Sequence, residues 1–180
     1  MMSDFNFVDN KILRTNLDNT FEHILDLVSN LESETYKGKV LLTSSLRKTI
    51  IIHTASIIEA LLTWKLSSLT NDNGLNLKEE WQYLDPKILY KIDENNQIVG
   101  CMRKKRKMKT DEIDFNRIID LCYKHKVISS EQQYKNLHNV RKMRNKLHLA
   151  GLPDIEQKYQ KTDLEFCFKV LVDTVKITAN

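Results

Sequence analysis

The sequence predicts a mostly α-helical protein, an antiparallel bundle of four to five main helices with an inserted β-hairpin at about 87–107. Three observations predict it. Only 4 glycines and 2 prolines interrupt 180 residues, a composition that favours long helices. Apolar side chains recur at three- and four-residue steps over long stretches, the period of one helix face. Between those stretches, two short β-prone runs flank an Asp/Asn turn.

The first helix is expected over about 8–33, with Val8, Ile12, Leu17, Phe21, Ile24, Leu25, Val28 and Leu31 as its apolar stripe. Tyr36-Lys37-Gly38-Lys39 breaks it. A second helix is expected from about Leu41 to Leu69. Its centre, Thr49 to Leu62, is apolar nearly all round, as in a helix buried on most sides. The isoleucine run there favours strand locally, but the long segment without Gly or Pro favours helix. Asn71-Asp72-Asn73-Gly74 ends it, and a short helix is expected at about 77–84, before Asp85-Pro86. The runs 87–92 and 97–103 then flank Asp93-Glu94-Asn95-Asn96, the hairpin turn.

A third main helix is expected over about Asp111–His125, with Phe115, Ile118, Ile119 and Cys122 inward. Ser129 or Ser130 caps a fourth, Gln132 completing a weak capping box after Ser129. That helix runs to about Ala150, where Gly151-Leu152-Pro153 stops it. Thr162-Asp163 caps a last helix carrying Leu164, Phe166, Phe168, Leu171, Val172 and Val175. With no internal repeat and no Pro/Ser/Gly-rich linker, a single domain over 1–180 is expected, the ribbon at about 85–109 being an insertion.

Hydrophobic residues make up 41% and charged residues 29%, the balance of a soluble globular protein. A net charge of +4 permits a polyanionic partner without requiring one. Cys101, Cys122 and Cys167 lie far apart, an odd count suited to a reducing compartment. No Cys/His cluster has zinc-ligand spacing, and no glycine-rich phosphate loop, GxSxG or HExxH motif is present, so neither metal nor cofactor is expected. No apolar run reaches the roughly 18 residues of a membrane span, and no basic-then-apolar leader is visible at the start. A cytoplasmic protein without a membrane partner is the expectation.

The stretch Val140-Arg141-Lys142-Met143-Arg144-Asn145-Lys146-Leu147-His148 carries the chemistry. Helical geometry sets Arg144 within about 40° of His148 around the axis and Arg141 within about 20°, with Asn145 bordering them. A titratable imidazole beside permanent cations and an amide can bind or cleave a phosphodiester. The bland alternative is a helix C-terminus that attracts Lys, Arg and His through its dipole.

Together with the apolar "ASIIEALL" of the second helix, the segment "IIDLCYKHKVISSEQQYKNLHNVRKMRNKLHLAG" resembles HEPN-family domains (higher eukaryotes and prokaryotes nucleotide-binding). The resemblance covers about 41–69 and 111–179. It implies an antiparallel helical bundle, often a homodimer. In catalytic relatives it implies a metal-independent endoribonuclease of a toxin–antitoxin or antiviral defence system. It also implies RNA as ligand and an antitoxin or other protein as partner. In that family an arginine precedes a histidine with four to six residues between. Arg141 and His148 fit this spacing, whereas Arg144-Asn145 matches the usual Arg-Asn start with one residue too few before His148. The implied catalytic set is His148 as general acid or base, Arg144 or Arg141 on the phosphorane, and Asn145 orienting phosphate or histidine. A second copy would complete the acid–base pair. The alternative within the family is a non-catalytic interaction or nucleotide-binding module.

Glu59, amid the apolar second helix, needs a partner if buried, and Arg144 or Arg141 would supply it. His53 reads as a satisfied core or edge histidine, and His138 as a neighbour that could line the groove. Arg103, Lys104, Lys105, Arg106 and Lys107 form the densest charge run. They read either as an RNA-gripping ribbon or as a solvated strand edge. With no aromatic residue inside the run, a stacking platform for single strands is not expected.

Overall fold

The computed structural model describes residues 5–73, 79–107, 113–145 and 158–179. Their elements are α1 (Lys11–Leu31), α2 (Val40–Asn73), β1 (Glu79–Lys91), β2 (Gln97–Lys107), α3 (Phe115–Lys124), α4 (Glu131–Asn145) and α5 (Lys161–Ala179). The mostly helical class with an inserted hairpin is the one the sequence predicts. The chain divides into two compact units, Met1–Leu66 with Asp114–Asn180 and, between them, Ser67–Ile113.

In the helical unit, α2 carries much of the buried core. Its Ile50, Ile51, Ile57, Ile58, Leu61, Leu62 and Leu66 are fully buried. From α1, His23 stacks edge-on against His53, 4.9 Å between centroids. The Trp64 indole donates to Asp9 Oδ1 at 2.8 Å, fixing the chain before α1. On α3, the Cys122 thiol lies 3.8 Å from the Leu62 carbonyl. Ahead of α5, Arg47 donates to the Tyr159 carbonyl at 3.1 Å, and Tyr159 N–H donates to Ser44 Oγ at 2.9 Å. By length and composition Val40–Leu69 would pass for a membrane span, although Arg47, Lys48, Glu59 and Lys65 interrupt its apolar run. Half of its most apolar stretch is covered by the rest of the protein.

The helix ends correct the sequence reading. Asn10 caps α1, its Oδ1 accepting from Leu13 N–H, so the helix starts at Lys11. Val8 is buried ahead of it, while Ile12, assigned to the stripe, is exposed. Asp114 caps α3 through Arg117 N–H, later than the expected start at Asp111, which lies outside the described residues. Ser130, not Ser129, caps α4 by accepting from Gln133 N–H at 3.1 Å. Before α5, Asp163 reaches back to accept from Gln160 N–H at 2.7 Å, the acidic half of a capping box. The buried face of α5 is Leu164, Cys167, Val170, Leu171, Thr174 and Thr178, with Val172 exposed. Thr174 and Thr178 escape an apolar pattern search because their hydroxyls donate to the carbonyls of Val170 and Thr174, which makes burial tolerable. Burial also pushes the thiols of Cys122 and Cys167 up to about 12, so both are unreactive.

The hairpin starts earlier than expected, β1 replacing the helix predicted over 77–84 from Glu79 onward. Trp81, Tyr83 and Leu84 are good strand formers, and an isolated short helix would lack the ladder that pairing with β2 provides. Trp81 pairs with Lys105 and Tyr83 with Arg103. The register shifts between Leu84 and Lys87, where Asp85 has φ 49° and Pro86 lacks an N–H to donate, and again between Ile88 and Tyr90. At the tip, Asp93 Oδ1 accepts from Asn95 and Asn96 N–H at 2.8 Å. Those bonds, with the Asn96 side chain first, hold its carboxyl below the usual range.

Candidate functional site

Helix α4 carries two sets of polar side chains on adjoining faces. On one, Tyr134, His138, Arg141 and Asn145 follow at steps of four, three and four residues, a single stripe. On the other, Arg144 is directed at α2, its Nη1 2.8 Å from Glu59 Oε2. The Glu59–Arg144 partnership expected from the sequence is thus present. The pair is partly covered, with 24% and 31% of the side chains exposed. The Arg144 guanidinium also lies 5.8 Å from the Phe115 ring centroid, a cation over an aromatic face.

Arg141 has a different partner. Its Nε–H donates to His138 Nδ1 at 3.4 Å, a long bond. An arginine can only donate, so Nδ1 must accept and the neutral imidazole carries its proton on Nε2. That nitrogen lies 3.4 Å from Asp120 Oδ1 on α3, a contact between the imidazole and a carboxylate. The Tyr134 hydroxyl donates to the same Asp120 oxygen at 2.7 Å, and Asn116 Nδ2 donates to Oδ2 at 3.4 Å. Tyr134 also packs edge-on against His138 and lies tilted over Tyr123. Burial holds the His138 pKa below the ordinary imidazole value. Asp120 opposes that shift, while Arg141 and Lys142 reinforce it. The ring is therefore neutral at pH 7, poised between a cation and a carboxylate. The Asp120 carboxylate, favouring the protonated hydroxyl, raises the Tyr134 pKa.

The predicted site residues thus separate. Arg141 and Arg144 both project from α4 but hold different partners, so the single cluster expected from helical projection becomes two. Asn145 is exposed and is the last described residue of α4. His148 lies outside the described residues. Sequence reasoning missed Asp120, Tyr134 and Tyr123. The Tyr134, His138, Arg141 spacing was a signal for the second, whereas Asp120 comes from another helix. His53 does sit at an edge, beside His23, and burial with the nearby His23 lowers its pKa. Among the described residues no group of three His, Cys, Asp or Glu side chains could hold a metal ion.

In the hairpin, Arg103 lies 4.3 Å from the Trp81 ring centroid and 5.5 Å from that of Tyr83, and Lys105 lies 5.5 Å from Trp81. Lys104 is exposed. For Arg106 and Lys107 the strand backbone is described and pairs with Glu80 and Glu79. The expectation that aromatics do not interleave the basic run is overturned. They come from the facing strand, which a linear reading of 103–107 does not see.

Comparison of the chain with protein-family models, curated proteins and solved structures finds no match.

Proposed function

We propose that this protein acts on RNA as a HEPN-like helical domain, cleaving the phosphodiester without a metal through the face of α4 that carries Arg141. The observation that carries the reading is the division of labour between the two arginines. Arg144 is held by Glu59 and Phe115 and positions α4. Arg141 makes only a long bond through Nε, and among the described residues its terminal nitrogens meet no acceptor. Arg141 is also the arginine whose spacing to His148 agrees with the family pattern, with six residues between.

In this reading the Arg141 guanidinium stabilises charge on the phosphorane. His148 moves the proton between the 2′-oxygen and the leaving oxygen, and Asn145 orients the phosphate. His138, neutral and anchored beside Asp120, keeps Arg141 on the working face. A homodimer brings two such faces together and supplies acid and base from two copies. A toxin–antitoxin or antiviral setting, with an antitoxin-type protein as partner, follows from the same resemblance.

The test is cleavage of unstructured RNA in EDTA. The wild-type protein cuts, His148→Ala and Arg141→Ala each lose about 100-fold or more, and their melting curves stay close to wild type. Cleavage retained by His148→Ala overturns the mechanism. Wild-type protein that leaves RNA whole overturns the enzyme and leaves a binding module in its place.

A further inference from the structure

Most large apolar side chains of the hairpin are in water, which is unusual for a tryptophan above all. Trp81 is 47% exposed and Tyr83 61%. They stand two residues apart on β1, about 6.6 Å along the strand and on one face. Their cross-strand partners Lys105 and Arg103 are on that same face. The cations interleave with the rings in the order Tyr83, Arg103, Trp81, Lys105. Lysines that merely guard a strand edge against pairing explain the charge but not two exposed rings.

We infer that this hairpin face is a stacking surface for unpaired RNA, with Trp81 and Tyr83 receiving bases and Arg103 and Lys105 the phosphates. Its ligand class rests on the RNA reading above; its geometry does not. Every base offers a π-face, so such a surface tolerates sequence. Those faces are accessible only where the strand is unpaired, whereas duplex RNA presents phosphates and a shallow groove. The four side chains carry two positive charges and no acid, the complement of a polyanion.

The test uses full-length protein with His148→Ala, so that the RNA survives titration, and a fluorescently labelled oligo-U 12-mer in EDTA. Trp81→Ala and Tyr83→Ala each weaken binding about 10-fold or more, and Arg103→Glu flattens the dependence of log Kd on log salt. A self-complementary duplex of the same length binds more weakly than the single strand. As a second readout, Trp64→Phe leaves Trp81 as the single tryptophan, and its emission is quenched on binding. Unchanged affinity in both aromatic variants, or a preference for duplex, overturns the inference. So does self-association of the wild type that Trp81→Ala and Tyr83→Ala abolish without affecting RNA, which assigns the face to a second copy. Cleavage that persists while hairpin binding fails sinks this inference alone; binding without cleavage sinks only the enzyme.

Discussion

The helical unit and the hairpin place most of their large apolar residues in opposite environments. Ile50, Ile58, Leu61 and Leu62 of α2 have no contact with water, whereas Trp81, Tyr83, Ile88, Leu89, Tyr90, Ile92, Ile98, Val99 and Met102 of the hairpin are exposed. The cause is geometric. A helix packed among other helices buries most of its apolar side chains, while a two-stranded ribbon by itself forms no second layer over either face. The hairpin is ordered instead by its ladder, two register shifts, the cation–ring contacts and the Asp93 turn. Most apolar burial and most apolar exposure thus fall in different parts of the chain.

Deleting matched side chains in the two units has the largest expected effect. Leu61→Ala, in the core of the helical unit, loses about 2–5 kcal/mol by chemical denaturation. Ile98→Ala, on the hairpin, changes the same transition by about 0.5 kcal/mol or less. Equal losses would show that the hairpin face is covered after all.

A smaller effect is expected at the partly covered Glu59–Arg144 pair. A double-mutant cycle with Glu59→Gln and Arg144→Met yields a coupling of about 1 kcal/mol, between the values for surface and fully buried pairs. Coupling near zero would leave Arg144 without its positioning role.

The least expected effect is in pH dependence. His138 and His53 have folded pKa values held below the unfolded value, His138 by burial first and His53 by burial and then His23. Below the unfolded value of 6.5 the unfolded chain binds more protons than the native one. Stability is therefore full above that pH and falls as pH drops toward the folded values. The denaturation midpoint at pH 5.5 lies below that at pH 7.5, and His138→Gln narrows the gap. The hairpin strands contain no histidine, so circular dichroism of the tryptophan and tyrosine there stays constant over the same range. A gap as wide in His138→Gln as in wild type would show that its imidazole is not the sensor.

Much of the architecture was legible because it depends on local spacing. The stripe Phe115, Ile118, Ile119 and Cys122 is buried as its period requires. Where expectation failed, a hydrogen-bond partner that the apolar pattern does not register decided, across the hairpin or within one helix. Residues from Glu79 joined a strand because β2 lies beside them, and α5 turned Thr174 and Thr178 inward because each hydroxyl has a carbonyl within its own helix. The candidate site was half legible. Arg141, Asn145 and His148 share a stripe by arithmetic, but Asp120 joins His138 and Tyr134 only across the α3–α4 contact.

By itself the sequence determined helix content, the polar stripe of α4 and the existence of a basic ribbon, because each depends on residues within a few turns or one strand of each other. Packing and strand pairing alone brought Arg144 to Glu59 and Asp120 to His138, and interleaved Trp81 and Tyr83 with Arg103 and Lys105. Those pairings join residues between 18 and 85 positions apart. Helical periodicity places a side chain on a face, but packing and strand register determine which group it meets there.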